Sequence, residues 1–355
     1  MEEAEALLRS SGLAVELLQL AGGRQVGDLL LLRLATLQLL RLRLSVGVHV
    51  RGPKLSGRQI VTLCLDPRLS PPLRAHGHLL PETSLFGLEC RGEIHLTTAA
   101  ASQLAVVLID RNSFAHWAER LGAAALADEG LAANWVALDP QRFAVLRNSL
   151  RCLFATAETH PGALALAGRD RLAEADLMPL LVEALIHGAQ LQRSLPRPPA
   201  RIEIVKLAQR WMAENPQRPI TLDALCRQVH AGRRSLIQGF QDHLGMGPMA
   251  FLKLQRLHGV RRQLLAADPA RARIHQLAME WGFLNAGHFA RDYRLLFGER
   301  PSDTLLRPGR SPRELRFRPA SRRIAPPPPP DSPASAPIRA GDPVPTGAPP
   351  PARKG

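Results

Sequence analysis

Cysteine is scarce in this 355-residue chain: Cys64, Cys90, Cys152 and Cys226 lie far apart and form no CxxC pair. That spacing argues against a cysteine zinc site and a disulfide framework, and it fits a reducing, cytoplasmic setting. The familiar catalytic signatures are absent too. There is no nucleophile elbow, no Gly-rich phosphate loop and no HExxH helix, so nothing in the pattern supports an enzyme of those classes. The opening MEEAEALLRS is acidic and lacks the apolar core of a signal peptide. The leucine-rich run from Leu29 to Leu44 is broken by Arg33, Arg41 and Arg43, which excludes a membrane span there. Aromatic residues make up only 4% of the chain, beside an ordinary 45% hydrophobic share.

Positive charge is in excess, and its location is more informative than its total of +15. Residues 1–199 carry 20 Lys/Arg and 19 Asp/Glu (+1), residues 200–306 carry 16 and 9 (+7), and residues 307–355 carry 10 and 3 (+7). A neutral N-terminal part joined to a basic C-terminal part is the distribution expected of a polyanion binder.

The N-terminal part reads as a small β-domain over residues 13–110. From Leu40 to Arg51 the sequence LRLRLSVGVHVR alternates strictly, the pattern of a half-buried strand. Short apolar runs follow at Ile60–Leu65, Leu85–Cys90, Glu93–Thr97 and Leu104–Ile109, punctuated by Gly and Pro, which suggests a barrel or jelly roll. Helices are expected over 113–192: one beginning at Ser113, one over Gln141–Glu158, and one over Arg171–Gln192 capped by Asp170. SLPRPPA (194–200) is a linker, since three prolines cannot continue a helix. The tail, 307–355, holds 15 of the 31 prolines and no apolar period, so it is expected to be disordered.

Residues 201–306 read as helical and contain a repeat. LDALCRQVHAGRRSLIQGFQDHLGMGP (222–248) aligns with IHQLAMEWGFLNAGHFARDYRLLFGERP (274–301) at an offset of 52, rising to 53 after a one-residue insertion in the turn. Leu225 pairs with Leu277, Cys226 with Ala278, Phe240 with Tyr293, Leu244 with Phe297, and Gly245 with Gly298. Each copy is a short helix, a tight turn and a second helix ended by glycine, which is helix-turn-helix architecture twice over. Between them, Pro248–Ala267 is expected to form a rigid helix. Phe251, Leu252, Leu254, Leu257, Val260 and Leu264 mark its core face, and Lys253, Arg256, Arg261 and Arg262 much of the remainder.

Here a family can be named. Residues 201–306 resemble the AraC/XylS-type DNA-binding domain through the pattern GF-x4-HF-x3-Y-x3-FG-x2-P, seen as Gly282–Phe283, His288–Phe289, Tyr293, Phe297–Gly298 and Pro301. Residues 1–195 more loosely resemble that family's sensor halves, nearest the branch of the ethanolamine-utilisation regulator, through VELLQL, VHVRG and VVLIDR. The resemblance implies an α+β protein: a cupin-like β-barrel with trailing helices, then an all-α domain with two helix-turn-helix units. It implies a cytoplasmic, effector-responsive transcription activator acting on double-stranded promoter DNA, with RNA polymerase as a further partner. The N-terminal domain would sense a small molecule or mediate homodimer contacts. The DNA-contacting residues it implies are Arg233, Arg234, Ser235, Gln238 and Gln241 in the first unit, with Ile237 on the same side. In the second they are Asn285, His288, Arg291 and Arg294. Arg234, Gln238, His288 and Arg291 rank first, and Arg262 is expected to touch phosphate. Gly232 stands where the family usually has a capping Ser, and His230 where a turn Gly is common.

One competing reading concerns HGHLLPE, where His76, His78 and Glu82 have a cupin-like HxHx3E metal spacing with His95 nearby. It would make the chain a cupin-type metal enzyme fused to a DNA-binding module. Another is a constitutive DNA-binding protein whose N-terminal domain only dimerises. The preferred expectation is no metal, no cofactor and no catalytic residue.

Overall fold

The alternating run at Leu40–Arg51 is two strands in the computed structural model of the chain, not one. Strand β3 (Leu37–Leu44) and strand β4 (Val48–Pro53) belong to different sheets. The chain turns between them at Gly47, where a Cβ would lie 2.9 Å from the Thr98 carbonyl oxygen. The alternation passes through the turn without losing phase, so the pattern alone could not show the break. The structure describes residues 2–55, 57–66, 73–89, 92–123, 126, 131, 133–160, 168–191 and 199–307.

The first sheet has the order β1 (Glu16–Gln19), β4, β9 (Glu93–Thr97), β6 (Arg74–Ala75), β7 (His78–Leu79). The second has the order β11 (Trp135–Ala137), β8 (Ser84–Phe86), β5 (Arg58–Cys64), β10 (Ser102–Asp110), β3, β2 (Gly27–Arg33). All pairings within both sheets are antiparallel. Leu17, Leu31, Leu40, Leu42, Leu96, Leu104 and Leu108 share the core between them. No strand pairing among the described residues joins the sheets edge to edge, so the architecture is a two-sheet sandwich where a closed barrel was expected.

The other face of the second sheet is covered by helices α2 (Arg111–Arg120), α3 (Pro140–Thr159) and α4 (Arg169–Leu191). Leu30, Leu32, Leu39, Val61, Val107 and Ile109 pack there with Phe114, Phe143, Leu150, Phe154, Leu181 and Leu185. Burial on both faces is why Leu29–Leu32 is an unbroken apolar run. Two helix starts differ from expectation. Asp110 caps α2 by accepting from the Asn112 and Ser113 amides, so the helix begins before Ser113. Asp170 lies inside the first turn of α4 rather than at its cap. Arg41, on the polar side of the alternation, is 4% exposed and bonded to Glu158 and Asp28. Two carboxylates offset the cost of burying that guanidinium.

A short helix, α1 (Glu2–Ser10), precedes β1. The C-terminal helices are α5 (Ile202–Glu214), α6 (Leu222–Gln228), α7 (Arg233–Leu244), α8 (Pro248–Ala266), α9 (Ile274–Glu280), α10 (Ala286–Phe297) and α11 (Pro301–Leu305). They share a core around Phe240, Phe251, Leu257, Val260, Trp281, Phe289 and Tyr293. Of the linker, only Pro199 and Ala200 fall among the described residues, and the tail from Pro308 lies outside them.

The first sheet packs directly on this helical core. Gln209 of α5, buried, sits between two buried histidines of the sheet. Its Oε1 is 2.9 Å from His95 Nε2 and its Nε2 is 3.1 Å from His49 Nε2. The His49 Nδ1 meets the Thr97 hydroxyl at 3.1 Å. One consistent assignment has His95 donating to the Gln209 carbonyl, the Gln209 amide donating to His49, and His49 Nδ1–H donating to Thr97. Both rings are then neutral. On α8, buried His258 accepts the Gln19 amide of β1 at 3.0 Å. The Gln19 side chain in turn donates to the Leu296 carbonyl of α10 at 2.6 Å.

Candidate nucleic-acid interface

Each repeat folds as a helix-turn-helix. In the first, Thr221 caps α6 by accepting the Ala224 amide at 3.2 Å. His230 takes a positive φ of 50° in the turn, and Gly245 a φ of 71° after α7. In the second, Gly282 (φ 82°) and Gly298 (φ 71°) occupy the equivalent places. Glycine accepts that backbone freely; His230 holds it at a steric cost. The α7 cap is Gly232, which has no side chain to give.

Helix α8 holds both units. Phe251, Leu252, Leu254, Leu257, Val260 and Leu264 are all buried, as expected from the pattern. Its cations are not a free basic stripe. Arg261 is buried, paired with Glu2 (3.2 Å) and Glu299 (2.6 Å), and lies over the Phe297 ring. Arg256 donates to the Pro216 and Arg218 carbonyls, and Lys253 pairs with Asp292 at 2.5 Å. Arg262 pairs with Glu16 of β1 at 3.2 Å, so it joins the sheet to the helices instead of standing ready for phosphate. Behind α10, the Tyr293 hydroxyl donates to Thr304, and the Thr304 hydroxyl to Glu299. Burial pushes the Tyr293 hydroxyl up to about 12, so it remains a donor.

The residues singled out from the sequence divide by what they touch. On α7, Arg233, Arg234, Gln238 and Gln241 are exposed on one face and Ser235 is half-buried. Arg233 forks onto Asp223 of α6 through two contacts of 2.6 Å. Gln238 donates to Asp242 at 2.7 Å, and Asp242 also faces Arg201 at 3.6 Å. Asp223 and Asp242, which sequence reasoning passed over, therefore orient two of the candidate base readers. On α10, His288, Arg291 and Arg294 are exposed. Arg291 and Arg294 border a groove of about 830 Å³ shared with Ile274, His275, Ala286 and Ala290. The side chain of Asn285 is occupied as the α10 cap, accepting the His288 amide at 2.9 Å. Asn285→Ala is therefore expected to lower stability by about 1 kcal/mol in a denaturant melt, and Asn285→Asp, which keeps the cap, to restore it.

The HxHx3E residues are not gathered into one donor set. His76 sits in a turn (φ 48°), 6.0 Å ring to ring from His95, and His78 packs 6.0 Å from Trp135. Among the described residues no three His, Cys, Asp or Glu side chains converge tightly enough to hold a metal ion. No helix of the described residues is long and apolar enough to cross a membrane.

Comparison with known proteins points the same way as the repeat. A helix-turn-helix domain family matches residues 225–307. A probable thc operon regulatory protein of Rhodococcus erythropolis is 40% identical over 129 residues, covering 36% of this chain and 39% of the relative. XylDLEGF operon transcriptional activator 2 of Pseudomonas putida is 38% identical over 95 residues, covering 27% of this chain and 60% of the relative. A solved probable AraC family transcriptional regulator from Rhodopseudomonas palustris is 38% identical, covers 31% of this chain and 99% of that chain, and has a TM-score of 0.28. The chain thus spans 39% and 60% of the lengths of the two curated relatives. The kinship of residues 1–195 with the ethanolamine-utilisation branch finds no support in these matches.

Proposed function

Because the chain belongs to the AraC/XylS family of transcriptional regulators, we propose that residues 201–306 bind promoter DNA sequence-specifically, with α7 and α10 in successive major grooves. The observation that carries this reading is the repeated unit itself: two exposed recognition faces held on one buried helix, α8. In that reading Arg234, Gln238, His288, Arg291 and Arg294 meet base edges, Arg pairing with guanine and Gln with adenine. Arg233, Ser235 and Gln241 complete the first contact face, and Asn285 shapes the second as its cap. Residues 1–195 form the sensor and dimerisation domain, 194–200 the linker and 307–355 a tail. We read the two-sheet sandwich as a cupin-like sensor. Its interior cavity, about 80 Å³, is lined by Leu17, Leu42, Phe86 and Leu104 with Lys54, Thr62, His76, His95 and Asn134 as polar groups; that is room for no more than a few waters, so a small effector enters only as the two sheets part. An effector there acts by favouring one arrangement of sheet and helices over another, which requires different affinity for the two. RNA polymerase recruitment, activation, homodimer formation and a cytoplasmic location belong to the same proposal.

The test is selection of genomic fragments by the full-length protein at about physiological salt. Two enriched boxes about one helical turn apart support the reading; salt-sensitive binding without a motif overturns it. On the selected site, Arg291→Ala is expected to cost about 1–3 kcal/mol while random DNA is bound as before. Arg262→Ala is expected to leave the salt slope unchanged, since its partner is Glu16.

A further inference from the structure

We propose that each helix-turn-helix unit reads a thymine methyl group with one exposed aliphatic side chain, Ile237 in the first and Leu284 in the second. This rests on the DNA-binding reading above and adds what that reading leaves open, the base chemistry at positions no hydrogen-bonding side chain serves.

The repeat aligns the two recognition faces. Arg233, Arg234, Ile237, Gln238 and Gln241 of α7 correspond to Ala286, Gly287, Ala290, Arg291 and Arg294 of α10, and all ten are exposed. Four of the five on α7 carry hydrogen-bonding groups. Ile237, in the middle of them, is 43% exposed. A β-branched hydrocarbon gains nothing for the helix there: its propensity is poor and it remains in contact with water. On α10 the equivalent of Ile237 is Ala290, too short to reach far. The hydrocarbon instead stands at Leu284, in the turn just before the Asn285 cap. At 84% it is the most exposed of the large hydrophobic side chains among the described residues. After the Asn285 cap come Ala286 and Gly287, and their small size lets that end of the helix approach a groove floor closely.

An aliphatic group facing the major groove has one favourable partner among the four bases. Only thymine presents hydrocarbon there, its C5-methyl. Against guanine, adenine or cytosine the same side chain strips water from N7, O6, N6 or N4 and returns no hydrogen bond. Each residue therefore selects thymine and rejects cytosine at one position in its box. The occupant is DNA and not a protein because Arg234, Gln238 and Gln241 surround Ile237 on the same face, and because Leu284 stands at the N-terminal end of α10, the end that contacts bases in this motif.

Deoxyuridine tests this directly, since it pairs like thymine and lacks only the methyl. Each thymine of the selected site is replaced singly, and binding of the full-length protein is measured by fluorescence anisotropy. One replacement in each box is expected to weaken binding about fourfold, the effect of losing one buried methyl. Ile237→Ala should abolish that sensitivity in the first box alone and Leu284→Ala in the second alone. Both variants should melt like the parent, because neither side chain is buried. Tight binding that is indifferent to deoxyuridine at every position overturns the proposal while leaving the DNA-binding reading intact. So does a deoxyuridine profile unchanged in both variants, or one in which the variants lose transcription activation but keep the parent's DNA profile; the last would mean these side chains face a protein. Failure to select any site overturns the DNA-binding reading itself.

Discussion

Gly259→Ala is expected to destabilise the helical core by about 3 kcal/mol, the upper end of the usual cost of overpacking, and to abolish specific DNA binding. A Cβ on Gly259 would lie 2.1 Å from Trp281 Cζ3, 2.2 Å from Cη2 and 2.6 Å from Cε3. All three atoms belong to one rigid ring, so no rotamer change of a flexible tip relieves the clash. The indole is also held at its other end, where Nε1 donates to Gln263 Oε1 at 2.7 Å. Trp281 ends α9 and immediately precedes the turn that launches α10. Moving the ring therefore moves the second recognition helix against the first. Affinity for the selected site should fall further than the stability loss alone accounts for, measured at a temperature where the variant stays folded. Trp281→Leu in the Gly259→Ala background should recover part of the loss. Strictly additive effects of the two changes in a urea melt would show that the ring contact is not the cause.

How much of this was legible beforehand depended on whether the cause was local. The repeat, the core face of α8 and the terminal glycines followed from spacing, because helix periodicity and left-handed caps are written in neighbouring residues. Strand boundaries were less legible. The sheet change at Gly47 is imposed by the approach of Thr98, some fifty residues away, and nothing in the alternation marks it. Burial of charge was least legible. Arg41, Arg261 and Arg262 each occupy a position that periodicity assigns to solvent. Each is held by a distant carboxylate, Glu158, Glu2 with Glu299, and Glu16 respectively; Arg41 and Arg261 are buried there and Arg262 stays partly exposed. Asn285 was recognised as functional for its position, and its side chain is spent on a local cap. Leu284 shows the converse: its exposure could be seen only once the folded surface existed, whereas the resemblance had already set Ile237 on the side that faces DNA.

Acidification from pH 8 to pH 5 is expected to loosen the joint between the first sheet and helices α5 and α8. Burial lowers His95 and His258 from 6.5 to about 4 and His49 well below 6.5. Around His49 and His95 stand Arg51 and His76 from the sheet side, and Lys206, Gln209 and His243 from the helices; around His258 stand Glu2, Arg261 and Arg262. A lowered histidine is neutral in the folded protein and protonated first in the unfolded chain. Its contribution is therefore complete above about pH 6.5 and is lost as pH falls toward 4, at about 1.4 kcal/mol per pH unit for each group. By pH 5 that is on the order of 2 kcal/mol each for His95 and His258. The window isolates histidine from acid. Glu16, held low against burial by Arg51 and Arg262, weakens the fold only below its ordinary 4.5. Glu5, raised by burial, works in the opposite sense just above 4.5. The geometry supplies the mechanism: a proton on His49 Nε2 would confront the Gln209 amide donor at 3.1 Å, and His95 Nδ1 has no hydrogen-bond partner among the described residues to receive a charge. Gln209→Glu reverses this logic. A carboxylate between the two rings stabilises their protonated forms, so urea midpoints should fall less steeply between pH 7 and pH 5 in the variant than in the parent, while His258 keeps its own share of the fall. Equal slopes in the two proteins would place the acid sensitivity elsewhere.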